Sequence, residues 1–238
     1  MDQSAITDNG RMTKADDAYD YLADLIEQGT LAPGSSYTES ALIEMSGYGR
    51  TPLREAVQRL TRDHLVATST GAGIVVPSMS VDDQLGRLEI RRSLEALAVV
   101  LASQRGSGDE LAGLNSLREK LTAQTEPRGY LDTLRRTHQL MCVAAHNDYL
   151  AEIMRPLHVL SRRFWGVNLT DAATEIDQGK TLHKVILEAV ARRDAAAAQE
   201  ASIKLNDYLV ESALAVASRR AQEGHIAPVT MIGNGVAG

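Results

Sequence analysis

A single cysteine, a single tryptophan and a single phenylalanine occur in 238 residues. The lone thiol, Cys142, excludes an internal disulfide and any multi-cysteine zinc site. Aromatic residues make up only 4% of the chain, and Ala, Leu, Val and Ile carry most of its 44% hydrophobic content. That balance favours packed helices over a β-sandwich. No apolar run approaches the roughly 18 residues of a membrane span. Segment 1–10 is polar and lacks the apolar centre of a signal peptide, so a cytoplasmic location is expected. Catalytic signatures are missing too: there is no HExxH, no GxSxG and no glycine-rich phosphate loop. Cys142 follows His138 by four residues, a spacing that reads as a small core residue rather than a nucleophile–base pair. No enzyme class is therefore expected. Positive charge is not in excess either, since the net charge is −6. This excludes an indiscriminate nucleic-acid coat but leaves room for a specific binder that uses one small face.

What is present begins with ordered punctuation. Ala15 to Gln28 has Ala18, Tyr19, Leu22, Leu25 and Ile26 at helical spacing, closed by Gly29. Pro33-Gly34 marks a turn. Thr38 is a good N-cap for a helix over Glu39 to Ser46, and Gly47-Tyr48-Gly49 breaks it. Thr51 and Pro52 suit the N-cap and first position of a third helix, which runs to about His64. There Leu53, Ala56, Val57 and Leu60 face inward, while Arg50, Arg54 and Gln58 line another face. Residues 66–69 and 74–76 flank Thr70-Gly71-Ala72-Gly73 and read as a β-hairpin. Helix, helix–glycine turn–helix and hairpin in this order describe a winged helix-turn-helix, whose second helix enters the major groove. Segment 11–79 holds six Lys/Arg and nine Asp/Glu, yet Arg50, Arg54, Arg59 and Arg62 crowd into thirteen residues.

These residues also carry a resemblance. The lead-in to Pro33-Gly34, the Glu39-x-x-Leu42 helix and Arg50-Thr51-Pro52-Leu53-Arg54-Glu55-Ala56, followed by Arg59-Leu60, resemble the winged helix of the GntR family of bacterial regulators. The resemblance implies that Arg50, Thr51, Pro52 and Arg54 meet operator DNA, with Gln58 on the same face. It also implies that Thr70 and Gly71 at the wing tip reach the minor groove. Ser40 stands where the family often has an arginine, which puts operator preference or affinity in doubt.

After the linker Ser78-Met79-Ser80 every periodic segment reads as helix. Helices are expected over 81–104, from a Ser107/Glu110 capping box to 124, and over 128–145, 148–167, 175–193 and 195–220. The fold class is mostly α: three helices and a wing in 11–77, an antiparallel helical bundle in 81–220, and a disordered tail in 221–238. The second half resembles the FCD effector domain, on Arg91-x-x-Leu94-Glu95, His138, Asn147, His183-x-x-Ile186-Leu187 and Asp194. The resemblance implies a bundle that binds a small organic acid, and in many members a divalent metal. The chain matches two metal-ligand positions, His138 and His183; the others fall at Leu134 and at Leu205 or Asn206. Two imidazoles alone make a poor site.

Several side chains remain open to two roles. His138 is either a core residue or an effector contact. Arg91 needs an anion if buried, either Glu95 four residues on or a ligand carboxylate. Phe164 and Trp165 wall a pocket or fill the core, and Arg135, Arg162 and Arg163 are further basic candidates for a ligand, though exposure on a helix surface is the expected fate of all three. The effector set is Arg91, His138, His183 and Asn206. The function implied is a homodimeric repressor that binds double-stranded operator DNA and is modulated by a carboxylate-bearing metabolite. The alternative is a helical metabolite-binding protein with a vestigial DNA-binding domain.

Overall fold

The fold is seen in a computed structural model that describes residues 13–69, 71 and 73–225. Helix α1 (Lys14–Glu27) starts at a capping box in which the Thr13 side chain and the Asp16 backbone and side chain satisfy one another. Strand β1 (Ser36–Tyr37) follows, a two-residue element with no sequence signature. Thr38 then caps α2 (Glu39–Ser46), its Oγ1 accepting from the Ala41 amide at 3.1 Å, and Gly47 ends it in the left-handed region.

Helix α3 (Arg50–Arg62) begins two residues earlier than its Thr51-Pro52 pair suggests. Gly49 is the N-cap, and it supplies no side-chain hydrogen bond. Thr51 and Pro52 therefore lie inside the first turn, where a missing proline N–H costs nothing. The wing consists of β2 (Ala67–Ser69) and β3 (Gly73–Val75). β3 is central, pairing antiparallel with both β1 and β2. Gly73, at φ +77°, is required there, because a Cβ would sit 2.7 Å from the Tyr37 carbonyl oxygen.

The remaining described residues form α4 (Val81–Arg105), α5 (Gly108–Ala123), α6 (Pro127–Ala144), α7 (Asp148–Asn168), α8 (Ala172–Ala191) and α9 (Ala195–His225). Helix α4 packs chiefly on α9, and α8 closes against α9 and α5. Their shared core holds Val99, Leu114, Met141, Ile186, Leu187 and Leu205. Ser80 and the Ser107/Glu110 capping box start α4 and α5 as expected. Helix α9 continues to His225, five residues past the expected end, so 221–225 is helical; residues 226–238 of the expected tail lie outside the described residues.

The two halves share a core. Leu22, Ile26, Leu42, Leu53, Leu60 and Val76 pack with Val159 and Leu160 of α7 in one buried cluster. Each such buried side chain contributes roughly 1.5–3 kcal/mol. The winged helix is thus seated on α7 through its α1 side, leaving the outer face of α3 open.

Candidate nucleic-acid interface and ligand cavity

On α3, Leu53, Ala56, Val57 and Leu60 are buried, as their spacing predicts. Arg50, Thr51 and Arg54 are exposed and Pro52 is half-buried near the helix start, and Gln58 is exposed about two turns further along. With no side-chain cap and no acidic residue in the first turn, the N-terminal amides stay open to an anion such as a backbone phosphate. The Arg54 Nε lies 2.9 Å from both carboxylate oxygens of Glu39 on α2, which holds the guanidinium over this face. Gly71 is exposed in the wing turn at φ +93°. Thr70 lies outside the described residues.

A second constellation is buried in the bundle. Arg91 and Glu95, one turn apart on α4, are buried and form an ion pair at 2.9 Å. The internal carboxylate is therefore the partner of Arg91. His158 of α7 donates from Nε2 to the same Glu95 oxygen at 2.9 Å. Burial alone would raise Glu95, but the His158 ring and the Arg91 guanidinium outweigh it and hold the carboxyl well below its usual range. His138 of α6 stacks on His158 with ring centroids 4.1 Å apart, and His183 of α8 lies 5.7 Å from His138. Burial depresses all three imidazoles, His183 to about 4, so each is neutral near pH 7.

Tautomers follow from the partners. Arg162 Nη1 is always a donor, so at 3.0 Å the Nδ1 of His138 accepts and its proton sits on Nε2. His183 donates from Nδ1 to the Gly179 carbonyl at 2.8 Å, leaving Nε2 a bare acceptor. Both Nε2 atoms are buried without a partner. Both rings line a cavity of about 40 Å³, room for only a few water molecules, walled by Leu131, Leu134, Trp165 and Leu205. Trp165 is thus a wall, whereas Phe164 packs with Leu88, Ala213 and Val216.

The donor set does not fit a divalent metal. Glu95, His138 and His158 have ligand atoms within 4.8 Å of one another. Yet metal on the His138 Nε2 would move its proton to Nδ1, against the Arg162 donor, and Glu95 already answers Arg91 and His158. Leucines 134 and 205 face the cavity where further ligands would be needed. Asn206, expected on this wall, instead donates from Nδ2 to the Leu88 carbonyl at 3.1 Å, because its place on α9 faces the α4 backbone.

Sequence reasoning missed His158 and misplaced two arginines. Arg162 and Arg163 are 6% and 1% exposed, not surface residues. Arg162 donates from Nε and Nη2 to the two oxygens of Glu27 on α1, each at 2.7 Å. Arg135 is partly buried and pairs with Asp24 of α1, and Arg155 pairs with Asp20. A faint signal existed: α1 carries Asp20, Asp24 and Glu27 along one stripe. Cys142 is buried and its thiol is pushed up to about 12, which makes it inert as a nucleophile.

An arginine-bearing recognition helix and wing, seated on a helical bundle with a small, mostly apolar cavity lined by two histidines, define a class: DNA-binding regulators that carry their own sensor domain. Residues 14–76 match the bacterial regulatory proteins of the gntR family, and residues 87–207 match the FCD domain. The chain belongs to the GntR family of transcriptional regulators, in the branch with an FCD effector-binding domain. It is 29% identical to the HTH-type transcriptional repressor GlaR of Escherichia coli strain K12, over 77% of this chain and 88% of that one. With the uncharacterized HTH-type regulator YdhC of Bacillus subtilis strain 168 it shares 28% identity over 60% of this chain, and spans only 65% of that relative. Among solved structures, E. coli McbR/YncC superposes with a TM-score of 0.74 at 19% identity, covering 88% of this chain and all of that one. This last likeness concerns the fold.

Proposed function

We propose that the chain is a repressor that binds a palindromic operator as a homodimer in the cytoplasm and is released by a small organic acid. Residues 11–77 read DNA and residues 81–220 sense the metabolite and dimerise. The observation that carries the reading is the exposed row of Arg50, Thr51, Arg54 and Gln58 running along α3 from its uncapped start. Two such helices related by a twofold axis match two half-sites. Arginine forks suit guanine edges, Pro52 and the open amides suit phosphate, and Thr70 and Gly71 reach the minor groove.

The effector enters between His138 and His183. Their unmet Nε2–H and Nε2 favour a polar ligand, and the tight walls require that the cavity open. The buried charges beside this cavity close in pairs, Arg91 with Glu95 and Arg162 with Glu27. A ligand carboxylate must therefore take Arg162 from Glu27, loosening α1 on α7. Ligand and operator then oppose each other through one coupling energy. Arg91 also lines the cavity and, once Glu95 yields, is a second contact for the ligand, whereas Asn206 supports the wall through the α4 backbone.

The test is a gel-shift titration of purified protein against its own upstream DNA, with nonspecific competitor and two salt concentrations. A competitor-resistant complex weakened by salt and lost in Arg54→Ala is expected. If folded protein yields none there, and none in a genome-wide binding selection, the reading is wrong and the bundle acts as a metabolite binder alone.

A further inference from the structure

The buried arginines Arg91 and Arg162 each have a carboxylate at 2.7–2.9 Å. Arg163 has none. Its side chain is among the largest fully buried ones, at 1% exposure. One N–H, on Nη2, reaches the Pro77 carbonyl at 2.8 Å; Nε and Nη1 are buried with no partner. Arg87 on α4 is half-buried and also lacks an ion pair. Its Nε meets only Gln84 Oε1 at 3.3 Å, and its Nη2 is buried and unpaired. No carboxylate among the described residues forms an ion pair with either. Burial lowers both pKa values; the Asp83 charge partly offsets this at Arg87, whereas the Arg87 charge lowers that of Arg163 further.

Both side chains wall a cleft of about 1090 Å³ between the winged helix, the Pro77–Met79 linker and helices α4 and α7. Other groups on its walls are already engaged or stand apart. Arg59 pairs with Asp16, Arg155 with Asp20, and Asp63 accepts from the Tyr19 hydroxyl. Asp82, Asp83 and Glu152 are exposed and pair with neither Arg87 nor Arg163. Two guanidinium groups that repel each other, one buried without a carboxylate and the other with only Asp83 at longer range, are costly, and an anion between them removes that cost. A phosphate monoester is the best charge match, carrying close to two negative charges at pH 7 and three acceptor oxygens for the unmet N–H groups.

We propose that this cleft is a second ligand site, which takes the dianionic phosphate group of a small metabolite between Arg87 and Arg163. It is separate from the His138–His183 cavity. The cleft is far larger than a phosphate, so the rest of the metabolite lies along the linker and the underside of the winged helix. Arg163 also holds Pro77, so occupancy bears on how the linker is fixed.

The probe is inorganic phosphate, added to the full chain at constant ionic strength against chloride and acetate, with thermal unfolding as the readout. Phosphate is expected to raise the wild-type midpoint saturably; chloride and acetate are not. Arg87→Gln removes one of two repelling charges, so without phosphate it melts at or above wild type. Its phosphate midpoint is at least on the order of tenfold weaker, the scale of one charge-assisted hydrogen bond. Arg87→Lys, which keeps the charge but loses the fork, falls between the two. His183→Gln keeps the full phosphate response, because it touches the other cavity. The proposal is overturned if wild type shows no saturable phosphate effect, if acetate matches phosphate, or if Arg87→Gln responds as wild type does.

Discussion

Arg162 and Glu27 are 135 positions apart and meet fork to fork, with two nitrogen–oxygen distances of 2.7 Å and both side chains at most 7% exposed. The third arm of the same guanidinium holds His138. One side chain thus touches both the DNA-reading half, through α1, and the ligand cavity. Glu27→Gln leaves the Arg162 charge buried without an anion, and a loss of about 3–5 kcal/mol is expected. Chemical denaturation of Glu27→Gln, Arg162→Met and the double variant checks this. If the two single effects simply add, the side chains are not coupled and the proposed relay has no basis.

Arg54 is the sharpest test of the recognition face. Its side chain is 64% exposed and its pair with Glu39 is a solvent-screened surface pair that adds little to stability. Arg54→Ala is therefore expected to melt like wild type and to bind operator more weakly by roughly 1–3 kcal/mol per half-site. Unchanged affinity in a competition gel shift would move the recognition surface elsewhere.

The buried histidines fix a pH dependence. His183 falls from its ordinary 6.5 to about 4 in the folded chain because burial opposes its charge. Above pH 6.5 it is neutral folded or unfolded and contributes no slope. Between pH 6.5 and 4 only the unfolded chain takes up the proton, so stability falls with acidification, by on the order of 3 kcal/mol at about 1.4 kcal/mol per unit. His138 and His158 shift in the same direction and steepen the loss. Denaturant melts at pH 7.5, 6 and 5 measure it; an equal slope in His183→Gln would remove His183 from the account.

Gly179 presents a packing test. A Cβ there would lie 2.0 Å from the Tyr130 hydroxyl oxygen, and Tyr130 is itself buried against Trp165 and Leu134. Gly179→Ala is expected to cost about 1–3 kcal/mol through overpacking. It should also blunt any ligand response, because Gly179, Tyr130 and His183 wall one cavity. A variant as stable and responsive as wild type would show that the wall yields freely.

The sequence alone determined what is written within one helix or turn. The inward stripe of α3, its outward arginines, the Thr38 N-cap, the Ser107/Glu110 capping box and the order of helices and wing all depend on neighbours a few residues apart. Tertiary structure decided what depends on distant partners. Arg162 and Arg163 are adjacent and chemically identical, yet one finds Glu27 and the other finds only a carbonyl. His158 became part of the cavity cluster only because α7 lies beside α4 and α6. Asn206 turned to the α4 backbone, and β1 exists only because β3 lies alongside it. Periodicity tells which face of a helix is buried, but not which charge waits there, since that depends on the packing of whole helices rather than on any local preference.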